Sequence, residues 1–450
     1  MGDEMSEKGS TGALGSDRRN SDSHNNTTLR LQGAPFGLEE LHDYELGGHH
    51  PVHLGDMLHQ RYRVVHKLGS GGYAIVWLCR DMSSAPGYSY VAAKIISAEG
   101  STPACPELRV TKLTELTKES GAARGLLCLP LDRFDIEGPN GTHYVFVYPV
   151  LGPRVSRLIH LGSSGDPGAV LRRISSQTTE AMALLHSIGI CHGDFRPANI
   201  LVQISGLDGL SEEEVLDILG EPKLNNVVTL SGDAYNLSTG PRYLVYPVNW
   251  NAVVASPRGS ALIVEKASLI DFGESFDVST PTPDLGIPQV YCSPEYVLDG
   301  VVGVESDLWA LGCTLFEIRT GRKLFDTFDD DRDEYLSKVA MVLGKFPEPW
   351  WSETWETRKQ YFRDDTDANG RVIEVYGGLG PGIECREARD GDLSRRAGDP
   401  VVYQRPEPRS LEEAIREGLY YEYSDRPGGI ERPLSESESV LFADLLAKLL

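Results

Sequence analysis

The stretch from Ile190 to Leu201, ICHGDFRPANIL, constrains the chain more than any other. It places His192, Asp194, Arg196 and Asn199 between apolar residues that read as strand ends, and its glycine and proline stop a helix from running through. Directly before it, Leu171, Ile174, Ala181, Leu185 and Ile188 follow the three-to-four spacing of one buried helix face. The fold must therefore let a half-buried helix deliver a polar loop and then a strand. Farther along, SLIDFG (268–273) repeats the device, with Asp271 closing an apolar strand and Gly273 two residues on. Carboxylate and amide oxygens are the hard ligands that Mg²⁺ selects. In this pattern Asp194 accepts or orients the proton of an attacking hydroxyl, Asn199 and Asp271 hold Mg²⁺, and Arg196 faces the γ-phosphate of ATP, which implies phosphoryl transfer.

The preceding text supplies a nucleotide cover. Tyr62, Val64 and Val65, then Ile75 to Leu78, then Tyr90 to Ile96 read as short strands, and the first pair is joined by Leu68-Gly69-Ser70-Gly71-Gly72. Such a hairpin lets backbone N–H groups close over phosphates, although a glycine-rich turn alone is more often only a turn. Lys94 ends V-A-A-K on a buried strand, where its charge needs partners; phosphates and a helix carboxylate would serve. That carboxylate is Glu107, which opens a helical pattern continuing through Leu113 and Leu116, with Glu115 as the alternative.

Residues 1–43, rich in Gly, Ser, Asp and Asn, read as a disordered leader. The β-rich part spans 44–150 and the helical part 151–450, an α+β, two-lobed arrangement. Residues 203–262 interrupt a strand pair and read as a surface insertion, in which Ser211 and Glu214 have capping-box spacing. The run from Asp307 to Ile318 is apolar nearly all round and closes at Gly321, as in a helix buried on every side. A net charge of −23 disfavours nucleic acid and anionic membranes as partners and favours basic ones. The 7 cysteines show no C-x-x-C pair, so neither a disulfide framework nor a zinc site is expected. No membrane-spanning run or secretory leader is read in the sequence.

H-G-D-x-x-x-x-N followed by I-D-F-G also resembles the aminoglycoside and choline kinases, but Ser293-Pro294-Glu295 and DLWALG (307–312) resemble the end of a protein kinase activation segment and its buried central helix. From about Tyr44 onward the chain resembles the SR-protein kinases, above all fungal ones, through GGHHPVHLGD (47–56), YPVLG (148–152), SEEEVLDILGEP (211–222), LIDFGESF, SDLWALGCTLFEIRTGRKLF and VLGKFPEPWW (342–351). The resemblance implies a bilobal serine/threonine kinase, monomeric, using ATP and Mg²⁺ on arginine/serine-rich proteins such as splicing factors, and moving between cytoplasm and nucleus. It implies an adenine site walled by Leu68, Val76 and Ala92, with Tyr148 as gatekeeper and Pro149 and Leu151 at the hinge. It also implies an acidic docking groove at Asp329, Asp330, Asp331, Asp333 and Glu334, whose bland alternative is a solvated helix start. Departures favour a competing pseudokinase or scaffold. Ile287 stands where a threonine commonly supports the catalytic aspartate, and the chain ends before the arginine that usually pairs with the counterpart of Glu295. Gly193 replaces an arginine that reads a phosphorylated activation loop, so such phosphorylation should be dispensable.

Overall fold

The computed structural model describes residues 29–33, 36–83, 89–109, 125–155, 167–229, 240–281, 284–327, 330–375, 410–422 and 429–450. Strand β1 (Leu29–Leu31) comes first, followed by β2 (Met57–Leu58), β3 (Tyr62–Ser70), β4 (Ala74–Asp81), β5 (Tyr90–Ile96), β6 (Asp132–Gly138) and β7 (Gly141–Pro149). The last six form one antiparallel sheet in the order β2-β3-β4-β5-β7-β6. Its β-branched and aromatic residues, Val64, Ile75, Trp77, Val91, Ile95, Val145 and Val147, pack into one core. Residues 107–109 are helical. Glu115 lies outside the described residues.

The second lobe is helical. Helix α1 (Pro167–Ser187) turns Leu171, Ile174, Ala181 and Leu185 into the main core, as the spacing predicts. Its partner, Val304–Thr320, buries Trp309, Leu311, Leu315, Phe316 and Ile318 in the same core and ends on Gly321 at φ 73°, a left-handed cap for which glycine is best suited. Burying each such large side chain contributes roughly 1.5–3 kcal/mol, which makes this helix the pillar of the lobe. Between the lobes run β8 (Leu151–Arg154), β9 (Ile190–Cys191) and β10 (Ile200–Ile204).

Two expectations change. Residues assigned to a leader without structure are ordered where described: β1 pairs antiparallel with β11 (Leu224–Thr229), which pairs in turn with β12 (Tyr243–Val245). The Glu39 carboxylate pairs with Lys67, whose side chain is 0% exposed. Nor does the insertion merely lie on the surface. Its helices α2 (Glu212–Leu219) and α3 (Trp250–Ala255) bury Val215, Ile218, Leu219, Trp250 and Val253 against Val65, Leu78, Tyr90 and Val150 of the strand-rich lobe. Composition hides this because the apolar residues are few and scattered, and only the tertiary fold gathers them. The α2 capping box is present as read: Ser211 Oγ accepts from Glu214 N–H, and Glu214 accepts from Ser211 N–H at 2.8 Å. Strand β13 (Ile263–Leu269) then returns beside β10, with Ile200 opposite Leu269, and β14 (Phe276–Asp277) pairs with β9.

Candidate active site

The antiparallel register of β10 and β13 brings Asn199 and Asp271 to the same end of one strand pair. Asp271 has φ 62°, a conformation most residues avoid, which turns its carboxylate off the strand and back toward the sheet of the other lobe. There Lys94 Nζ donates to Asp271 Oδ1 at 2.9 Å and also pairs with Glu107 Oε1. Glu107 is buried and its second oxygen accepts from the Tyr148 hydroxyl at 3.0 Å. Burial opposes the Lys94 charge, but the two carboxylates outweigh it and raise its pKa above the ordinary value. The Lys94 charge likewise holds Asp271 below the usual carboxylate range, outweighing the partial desolvation of its carboxylate. Tyr148, expected as a gatekeeper, thus also supports Glu107, and its own pKa is pushed up by burial and that carboxylate.

The loop from His192 to Asn199 is fixed from below by Asp307, a buried acid at the start of the pillar helix. Its oxygens accept from the N–H groups of His192 (2.7 Å) and Gly193 (3.0 Å), and His186 Nε2 lies 2.9 Å away. His192 Nε2 lies 3.1 Å from the Ile270 carbonyl, so that nitrogen carries a proton and ties this loop to the residue before Asp271. Within the loop, Arg196 Nε donates to both Asp194 oxygens, at 2.8 and 3.1 Å. Asn199 Nδ2 donates to the Asp194 carbonyl at 2.8 Å and to Asp194 Oδ2 at 2.7 Å. Both amide protons are committed, which fixes the amide orientation and leaves Oδ1 for a cation. With the Asp271 carboxylate, whose side chain is 46% exposed, this makes an all-oxygen pair that fits Mg²⁺.

Above the loop, Gly69 faces Val76 across the hairpin, and a Cβ added at Gly69, Gly71 or Gly72 would meet nothing within 4 Å. Gly71 N–H donates to Ala74 O at 2.9 Å, which closes the turn of the hairpin. Ala92, opposite Leu78 and Tyr148, is buried; Leu68, Val76, Pro149 and Leu151 are half-buried around the same edge. Leu151 pairs with Gln203, which anchors the crossing between lobes to the strand leaving Asn199.

The feared losses weigh less than expected. Ile287 packs against the helical core, and Asp194 takes its support from Arg196 and Asn199 in place of a threonine hydroxyl. Glu295 is half-buried, so it does not carry the cost of a fully buried lone carboxylate. Asp329 lies outside the described residues. Asp330 is exposed and lines an open cleft of ≈ 450 Å³ with Leu285, Ile287, Pro288 and Tyr296. Asp331 instead caps the helix Arg332–Leu343, accepting from Glu334 N–H, and Asp333 accepts from Trp355 Nε1 and Thr357 Oγ1, each at 2.8 Å. The role of Asp307 was missed in the sequence. Asp307 had a signal: an acid opening an otherwise apolar helix needs buried donors.

No protein-family model matches the chain. Among curated proteins it is similar to the serine/threonine-protein kinase SRPK of Physarum polycephalum, 26% identical over 334 residues that make up 72% of this chain and 76% of that protein. Serine/threonine-protein kinase AFC3 of Arabidopsis thaliana is 27% identical over 326 residues, 72% and 70% of the two chains. SRSF protein kinase 3 of Homo sapiens is 34% identical over 168 residues, 36% of this chain and 29% of that protein. The chain is homologous to serine/threonine protein kinases, which are ATP-dependent phosphotransferases.

Proposed function

We propose that this chain is an active serine/threonine protein kinase that transfers the γ-phosphoryl group of ATP to serine in basic, arginine/serine-rich proteins. The observation that carries the reading is the joint placement of Lys94, Glu107 and Asp271 in one ion-paired group above Asp194 and Asn199. Lys94 holds the α- and β-phosphates, the hairpin from Leu68 to Gly72 covers them, and Asn199 and Asp271 hold Mg²⁺. Mg²⁺ supplies the positive charge that neutralises the phosphate oxygens. Asp194 orients the serine hydroxyl and takes its proton, while Arg196 fixes the Asp194 carboxylate and presents its remaining N–H groups toward the γ-phosphate.

The substrate class rests on charge and on kinship. The chain carries 66 acidic against 43 basic residues, and Asp330 sits in the cleft beside the end of the segment that follows Asp271. One relative is named for SRSF proteins. Guanidinium forks pair with carboxylates more specifically than ammonium groups do. Phosphorylation with radiolabelled ATP should therefore favour an arginine/serine peptide over a lysine/serine peptide of equal charge, by a lower KM. Equal KM values would remove the substrate class, and no incorporation into any protein would remove the activity.

A further inference from the structure

Two consecutive residues just beyond Asp271 lie between the turn that carries Glu107 and the loop from His192 to Asn199. On one side Arg109 Nη1 donates to the Ser275 carbonyl, and Arg109 lies two residues after Glu107 in the same helical turn. On the other, the Glu274 carbonyl lies so close to Gly193 that a Cβ there would stand 2.2 Å from its oxygen, at a φ of +78°. Phe276 and Asp277 then pair with Cys191 and Ile190. The segment that carries Asp271 is thus bound both to the catalytic loop and to the turn that carries Glu107. This matters because Lys94 uses both acids together, and moving either would leave a buried ammonium with half its compensation. With glycine at 193, the catalytic loop offers no cation at that position to hold this segment. Arg109 offers one from the facing helix, and a guanidinium donating to a carbonyl makes a charge-assisted hydrogen bond.

We propose that Arg109 is a positioning residue for phosphoryl transfer, tying the turn that carries Glu107 to the backbone after Asp271 so that both acids meet Lys94. The inference rests on the kinase reading above and adds the device that sets its geometry without a phosphate. The test compares Arg109→Ala, Arg109→Lys and a control, Arg363→Ala, whose exposed guanidinium pairs with the nearby Asp365. Mg·ATP affinity is read by calorimetry, phosphorylation of an arginine/serine peptide by initial rates, and stability by thermal melting. Arg109→Ala should bind Mg·ATP about tenfold more weakly and lose about tenfold in kcat, with peptide KM within about twofold and the melting temperature within about 2 °C. Arg109→Lys, which can still donate to the carbonyl, should recover most of both, and Arg363→Ala should match the unmodified chain. Unchanged nucleotide affinity in Arg109→Ala overturns the proposal, as does a loss in both Arg109 variants that tracks a falling melting temperature. If the unmodified chain binds Mg·ATP but phosphorylates nothing, the kinase reading falls, and the nucleotide affinity of Arg109→Ala still decides this one.

Discussion

Asp194 and Asp271 carry the same side chain, and their surroundings divide their work. Asp194 is buried and faces Arg196 and Asn199, while Asp271 faces Lys94 and water. Asp194→Asn should lower phosphotransfer at least about 100-fold with Mg·ATP affinity within about threefold, whereas Asp271→Asn should weaken nucleotide binding itself. Calorimetry beside initial rates separates the two, and equal losses of affinity would contradict the division. Glu274 adds a third acid: burial, then the charges of Asp194 and Asp271, raise its pKa from the ordinary 4.5. Between those two values the native state binds more protons than the unfolded chain, so the contribution of Glu274 to stability falls as pH rises through that window. Glu274→Gln should therefore melt no lower than the unmodified chain near pH 7, and its stability should fall less steeply as pH rises above the ordinary carboxylate range. Thermal melts over that rise in pH check it; a Gln variant markedly less stable at neutral pH would show that the carboxylate is needed.

Helix starts explain why part of the acidic run is not free to dock a ligand. Asp331 caps its helix and Asp333 holds Trp355 and Thr357, so only Asp330 and Glu334 among the described members remain for a peptide. Asp331→Ala should cost about 1 kcal/mol of stability with little effect on peptide KM, and Asp330→Asn should raise KM for an arginine/serine peptide at low salt with no change in melting. If Asp330→Asn leaves KM unchanged at low salt, the run is a solvated helix start. The elements that sequence reveals are those with short-range rules: the Ser211 capping box, the Gly321 stop, the apolar stripe of α1 and the loop from His192 to Asn199, each specified within one element or loop. Arg109 and Asp307 act over about a hundred residues or more of chain, on Ser275 and on His192, and no local pattern marks their partners. The same limit concealed the contact of the insertion with Leu78 and Tyr90.

At the scale of the molecule, the strand that runs into the glycine-rich hairpin is gripped from outside. Lys67 lies one residue before Leu68, its ammonium pairs with Glu39, and its carbonyl accepts from Val248 N–H of the insertion at 2.9 Å. Burial lowers the Lys67 pKa, and Glu39 opposes that shift. Glu39→Ala should therefore cost about 3–5 kcal/mol, because it strands a cation away from water, and Glu39→Ala with Lys67→Met should recover much of the loss. Denaturant melts of the two variants check this; a Glu39→Ala chain as stable as the original would mean that Lys67 sheds its proton at little cost. The closing consequence comes from β10 and β13. They are the two arms of a single hairpin zipped from Ile200–Leu269 to Ile204–Ile263, and everything between is the loop of that hairpin. Lengthening a closed loop costs only as the logarithm of its size. Asn199 and Asp271 sit at the zipped base, so the loop is an editable cassette: its text can be rewritten or exchanged without moving either, as long as the patch from Val215 to Val253 still seats on the strand-rich lobe.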